Sequence, residues 1–269
     1  MRLIFLGTGT SYGVPQIGCT CATCTSPDPR DRRTRTAAVI ETDGRRLLID
    51  TPPELRLQLI AAGIDQVDAV LFTHAHADHA HGIDDLRAIS VRRRAGLPAY
   101  GPEQTLAELA ARFAYIFDPA VRPPAGTSKP ELTAHAMVPG RETRVAGVPV
   151  VPIPLPHGEQ SVFGYRAGPV AYLTDAKVIP PEARALLRGL EVLVLNALLP
   201  RPHPLHLSIP EAIETAREIG AARTYLTHLT HESRHADLAA RLPDGILPAH
   251  DGLVVEVPDS YNRDMGGAS

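Results

Sequence analysis

Four potential metal ligands fall within six residues of this chain, in the run Thr73-His74-Ala75-His76-Ala77-Asp78-His79-Ala80-His81-Gly82. In an extended segment His74 and His76 project to the same side, so one divalent ion can take both. Asp78 and His79 are offset enough to serve a second ion close by. Imidazole and carboxylate suit zinc, iron or manganese, and the lack of a thiol in this run argues against a soft-metal site. A polar loop rich in histidine by chance is the bland alternative. Four ligands at the spacing H-x-H-x-D-H, directly after a short apolar run, argue against it.

The other cluster is sulfur. Cys19, Cys21 and Cys24 are the whole cysteine complement of the chain, at spacing C-x-C-x-x-C. An odd count cannot pair fully into disulfides. Three neighbouring thiols suggest a metal centre, but a closed structural tetrahedron needs a fourth ligand from elsewhere. Reduced, unliganded cysteines are the alternative. A redox Cys21-x-x-Cys24 lacks the βαβ setting expected of that motif.

Two ions at the histidine cluster need further ligands, and later strand ends offer three: Pro156-His157-Gly158, Leu173-Thr174-Asp175 and Leu226-Thr227-His228. Asp175 is the natural bridge, since a carboxylate can give one oxygen to each ion. His203 and His206 stand just before Ser208, and either could move a proton at neutral pH.

These residues need a scaffold. Arg2–Leu6 reads as a strand, and residues 7–34 as a long loop that needs a function or a staple. Ala37–Glu41 and Arg45–Asp50 flank the hairpin signal Thr42-Asp43-Gly44. Pro52–Ala62, Ile83–Arg94 and Glu103–Phe117 read as helices, and Ala69–Phe72 as a buried strand. Residues 118–130 form a Pro-rich break, either a connector or a lid. Strand patterns follow at 132–138, 143–146, 148–153, 162–167 and 169–174. Glu182–Leu187 reads as a short helix and Glu191–Leu195 as an apolar strand. Ser208-Ile-Pro-Glu211 is a capping box that opens a helix to Ile219. Thr224–Thr227 and Leu253–Val257 close the series. Strands and helices alternate with no disordered linker, which predicts one layered α/β domain over residues 1–269.

Composition narrows the function. The chain has 269 residues, 44% hydrophobic and 21% charged, so it can bury a core and is not disordered. A net charge of −3 argues against binding nucleic acid through a bulk basic surface. No run of 18 apolar residues predicts a membrane span, and the start lacks the marks of a signal peptide. The expectation is a cytoplasmic protein with no membrane or nucleic-acid partner.

The motifs together resemble the metallo-β-lactamase superfamily, and within it the phosphodiesterase branch patterned on phosphoribosyl 1,2-cyclic phosphate phosphodiesterase. The resemblance rests on G-T-G-T-S-Y-G-V-P, the cysteine group, T-H-A-H-A-D-H, P-L-P-H-G, Y-L-T-D, H-L-S and L-T-H-L-T-H, spread over residues 6 to 231. It implies a four-layer αββα sandwich with a dinuclear site at one sheet edge. It assigns His74, His76 and His157 to one metal, Asp78, His79 and His228 to the other, and Asp175 as bridge. Asp50 matches the acid that orients a ligand histidine through its other ring nitrogen. His231 matches the fourth ligand of the cysteine centre, making it a structural zinc site. His206 aligns with the histidine that faces the metals. His81 matches no ligand position.

The implied reaction is hydrolysis of a small cyclic phosphodiester. Two divalent ions, manganese or zinc, generate hydroxide. Asp78 belongs to that catalytic set, and His206 is the general acid, with His203 its competitor. A lactone or thioester hydrolase, a nuclease that processes tRNA 3′ ends, and an idle metal-binding module remain alternatives. An exported β-lactamase is disfavoured because Asp175 stands where a cysteine would be, and no basic arm for tRNA is visible. Expected partners are a small phosphodiester substrate, with no membrane and no nucleic acid, and a homodimer left open.

Overall fold

The computed structural model describes residues 1–158 and 160–258. Fourteen strands are present among them: β1 (Arg2–Gly7), β2 (Ala37–Thr42), β3 (Arg45–Ile49), β4 (Ala69–Leu71), β5 (Leu97–Gly101), β6 (Leu132–Ala136), β7 (Thr143–Val145), β8 (Val148–His157), β9 (Gln160–Ala167), β10 (Val170–Leu173), β11 (Val192–Asn196), β12 (Arg223–Thr227), β13 (Ile246–Pro248) and β14 (Val254–Glu256). They form two seven-stranded sheets, in the orders β14-β1-β2-β3-β4-β5-β6 and β13-β12-β11-β10-β9-β8-β7. Each sheet is antiparallel in one half. Each is parallel in the other, over β3 to β6 and β10 to β13.

Three hydrophobic clusters define four layers. One lies between the sheets and takes Leu3 and Phe5 from β1 with Val192 and Val194 from β11. The alternate residues Ile4 and Leu6 join a second cluster with Leu55 and Leu59 of helix Leu55–Ala61 and Leu106 of helix Glu103–Arg112. Leu193 and Leu195 join a third, with Ala212 and Ala216 of helix Ile209–Ile219. Both faces of these strands are covered, which is why they read as continuous apolar runs rather than as alternation. The result is the αββα sandwich.

Local signals set the turns. Asp43 and Gly44 both have positive φ, 50° and 69°, as a two-residue hairpin turn requires. Ser208 accepts from the Glu211 amide while the Glu211 carboxylate accepts from the Ser208 amide, so the capping box forms and the helix ends at Gly220.

Several expectations need correction. β8 runs on to His157 rather than ending at 153, because Pro154 and Pro156 leave β-geometry intact while reading as breakers. β5 and β13 were not expected, since Pro98 and Pro248 hid them. The expected helix Ile83–Arg94 is a 3₁₀ turn, Ile83–Leu86, followed by helix Arg87–Arg93. Glu103–Phe117 breaks at Phe113, whose backbone leaves helical geometry. Residues 118–130 hold no strand or helix, and Lys129 Nζ donates to the Asp118 carbonyl at 2.9 Å, closing the segment on itself.

Candidate metal centre

Six segments meet at one edge of the sandwich, five of them running on from the carboxyl ends of the parallel strands β3, β4, β10, β11 and β12 and the sixth being the end of β8. That edge is where open α/β sheets bind ligands. Asp50 lies just past β3, Asp175 just past β10 and His228 just past β12. All three have left-handed backbones, with φ of 62°, 57° and 58°. A non-glycine residue held there is strained by about 1–3 kcal/mol, a pattern that clusters at functional sites.

The histidine run is not extended throughout, as its spacing suggested. His76 is the N-cap of a short helix, Ala77–Ala80. The chain therefore turns after His76, and the helical turn carries Asp78 and His79 to the other side of the site.

The ligand-bearing atoms converge. His74, His76 and His157 form one group whose donor atoms lie within 4.8 Å of one another, and Asp78, His79 and His228 form another. Asp175 stands with both, 3.2 Å from His79 Nε2 and 3.6 Å from His228 Nε2, and also grouped with His74. All seven residues expected around two metals are thus brought together.

Hydrogen bonds fix which ring nitrogens face inward. His79 Nδ1 donates to Asp50 Oδ2 at 2.7 Å. The Thr73 hydroxyl gives its proton to the same Asp50 oxygen at 2.8 Å, so it accepts from His74 Nδ1 at 2.9 Å. The Thr36 hydroxyl donates to the Gly9 carbonyl at 2.7 Å, so it accepts from His228 Nδ1 at 3.2 Å. In all three rings Nε2 is left facing the site, where it can bind an ion once it carries no proton, the arrangement metal-ligating histidines need.

The electrostatics call for positive charge. Burial works against a charged His79, yet Asp175, Asp50 and Asp78 outweigh it and bring its pKa up to about 10. Burial alone would raise Asp175, but the surrounding histidines hold its carboxyl well below the usual range. His79 Nε2 and His157 Nδ1 are buried with no hydrogen-bond partner. Buried ring nitrogens without hydrogen-bond partners beside clustered carboxylates fit divalent cations, which would take the place of protons there.

His206 faces the same site. Its Nδ1 is buried without a partner and lies 3.6 Å from Asp175 Oδ1, with its ring 5.2 Å from those of His157 and His228. His203 stands behind it, with ring centroids 5.1 Å apart. His81 points away, edge-on to Phe113.

The cysteine centre is also assembled. His231 Nδ1 lies 3.3 Å from Cys19 Sγ, 3.3 Å from Cys21 Sγ and 3.6 Å from Cys24 Sγ. A tetrahedral zinc with bonds of about 2.3 Å to sulfur and about 2.0–2.1 Å to nitrogen separates S and N by about 3.5 Å. The four residues fit such an ion.

Thr36 and Thr73, which hold two of the candidate ligand rings, were missed by sequence reasoning. A faint signal existed: Thr73, Thr174 and Thr227 each immediately precede a ligand candidate. Thr36 gave none, because its contact with His228 spans 192 residues of chain.

Comparison with known proteins places the fold. Residues 45–229 match the family model described as Beta-lactamase superfamily domain. The chain belongs to this superfamily and has the metallo-β-lactamase fold. A solved structure described as a new diphosphatase from the PhnP family is 40% identical, with a TM-score of 0.87, covering 96% of this chain and 98% of that one. Zinc-bound PqqB from Methylobacterium extorquens shares the fold at a TM-score of 0.78 and 18% identity, over 96% of this chain and all of that one. A curated octanoyltransferase from Porphyromonas gingivalis is 41% identical over 256 residues, 94% of this chain. The chain spans about half, 51%, of that protein's length. Among the described residues, no helix is long and apolar enough to cross a membrane.

Proposed function

We propose that the protein is a dinuclear-metal phosphodiesterase that hydrolyses small cyclic phosphates of the phosphoribosyl 1,2-cyclic phosphate type. The observation that carries this reading is Asp175, a single carboxylate placed between two ligand triads with His206 facing it. His74, His76 and His157 would hold one divalent ion, Asp78, His79 and His228 the other, and Asp175 both. Manganese and zinc each suit this O/N donor set. When bound, the pair supplies charge neutralisation for the phosphate oxygens and the acidity that turns water into a nucleophile.

The chain's own residues do the rest. Asp50, Thr73 and Thr36 orient three of the ligand rings. His206 delivers the proton that the departing alkoxide needs. Burial and the neighbouring His228 push its pKa down to about 3, with Asp175 opposing. The free ring is thus neutral at pH 7 and acts as the acid only once it has gained a proton in the substrate complex, where the negative charge of the phosphodiester favours the charged form. The cysteine centre would hold a structural zinc that staples the loop over residues 7–34.

A panel of substrates tests the reading. Metal-loaded protein is given a cyclic phosphodiester, a lactone, an acyl thioester and an octanoyl-transfer pair. Turnover of the cyclic ester to a monoester, with the rest untouched, supports it. Turnover of a lactone or a thioester alone, or transfer of the octanoyl group, overturns it.

A further inference from the structure

Arg33 is the largest fully buried side chain among the described residues, and its position matches no role assigned so far. It lies in the loop that carries the three cysteines, yet it reaches across to the segment after β12. Its Nη1 donates to the Thr230 carbonyl at 2.8 Å and its Nη2 to the Ser233 carbonyl at 2.7 Å. Those carbonyls flank His231 on both sides, and His228 lies two residues before Thr230. The backbone of Arg33 is itself held, exchanging two hydrogen bonds of 2.8 Å with Val14.

Its charge also has an addressee. Asp31 Oδ1 lies 3.6 Å from Nη2, and Arg234 Nε lies 3.9 Å from Asp31 Oδ2. Asp251 also acts on the Arg33 charge, so the two guanidiniums face two carboxylates as well as the thiol centre. Three thiolates on a divalent ion leave one net negative charge. Cys24 is close enough to feel the Arg33 charge. The Nε of Arg33 remains buried without a hydrogen-bond partner.

We propose that Arg33 is a positioning residue through which an ion in the Cys19–Cys21–Cys24–His231 centre sets the placement of His228, and thereby the hold of the active-site residues on their metals. Filling the thiol centre draws His231 and Arg33 into register. Arg33 then fixes the Thr230 carbonyl, and together with the Leu229 and Thr230 amides, which donate to the Thr8 and Leu198 carbonyls at 2.9 and 3.1 Å, it holds the short turn that presents His228. Lysine could keep the charge but not the paired donors, because a single ammonium lacks the fixed fork of guanidinium.

The test reads metal release, not catalysis, so it stands apart from the phosphodiesterase reading. Holoprotein is treated with an organomercurial that titrates the thiols and ejects the third ion. Loss of the remaining ions to a chromogenic chelator is then timed. In wild type, ejection should speed that loss about tenfold, a typical size for coupling between sites. In Arg33→Met and Arg33→Lys the loss should already be fast, and ejection should change it less than about twofold. Arg33→Lys should release the thiol-centre ion more slowly than Arg33→Met, since it keeps the charge. If ejection leaves wild-type release unchanged, or if both variants respond as strongly as wild type, Arg33 does not couple the centres. Arg33→Lys keeps the test decisive should Arg33→Met fail to fold.

Discussion

Asp50 accepts a 2.7 Å hydrogen bond from His79 Nδ1 and lies wholly buried beneath the histidine run. It also accepts from the Thr73 amide and hydroxyl, each at 2.8 Å. One carboxylate thus orients His79 directly and His74 through Thr73. Removing it frees two ligand rings at once. Asp50→Ala should lower metal affinity or activity about 10–100-fold, as loss of outer partners does elsewhere. Chelator competition on the purified variant measures this, and an unchanged affinity would show that the rings are held by other means.

His206 should behave as an acid and not as a ligand. His206→Ala should lower kcat by about 10²–10⁴-fold on esters with alkoxide leaving groups. It should cost far less on a 4-nitrophenyl phosphodiester, whose leaving group needs no proton. The two rates, taken with elemental analysis, separate the roles. Loss of metal from the variant would make His206 a ligand, a reading its grouping with His157 and Asp175 also permits.

His235 gives the fold an acid-sensitive element away from the ligands. Burial pushes its pKa down to about 4, helped by Arg30, His250 and Arg33 and opposed by Asp28. Its ordinary value is 6.5. The folded ring therefore binds fewer protons than the unfolded one between those values. Its contribution to stability is fully present above about 6.5 and is lost as pH falls through about 4. Between pH 7.5 and 4.5 the Tm of wild type should drop more steeply than that of His235→Gln. Parallel Tm profiles would contradict this.

Much of this architecture could be read before the structure, and the exceptions have physical causes. The ligand set was legible because metal coordination demands particular side chains at short spacing, as in His74, His76, Asp78 and His79. The capping box at Ser208 and the hairpin at Asp43-Gly44 were legible because each is a local rule. β5 and β13 were not, since Pro98 and Pro248 imitate breakers at strands five and three residues long, respectively. The turn at His76 was missed because the spacing alone suits an extended segment. Thr36 and Arg33 were invisible for another reason. Their roles come from partners about two hundred residues away, and in sequence Arg33 looks like one member of a solvated basic run from Arg30 to Arg35.

On the proposed function, two ions held by these seven residues support cleavage of a phosphodiester. Titrating metal-stripped protein with manganese or zinc, while following a cyclic phosphodiester by phosphorus NMR, tests it most directly. Conversion to the monoester should saturate once two ions beyond the thiol-bound one are taken up, about three per chain in all. Hydrolysis that saturates with a single active-site ion, or no hydrolysis at full occupancy, would contradict it.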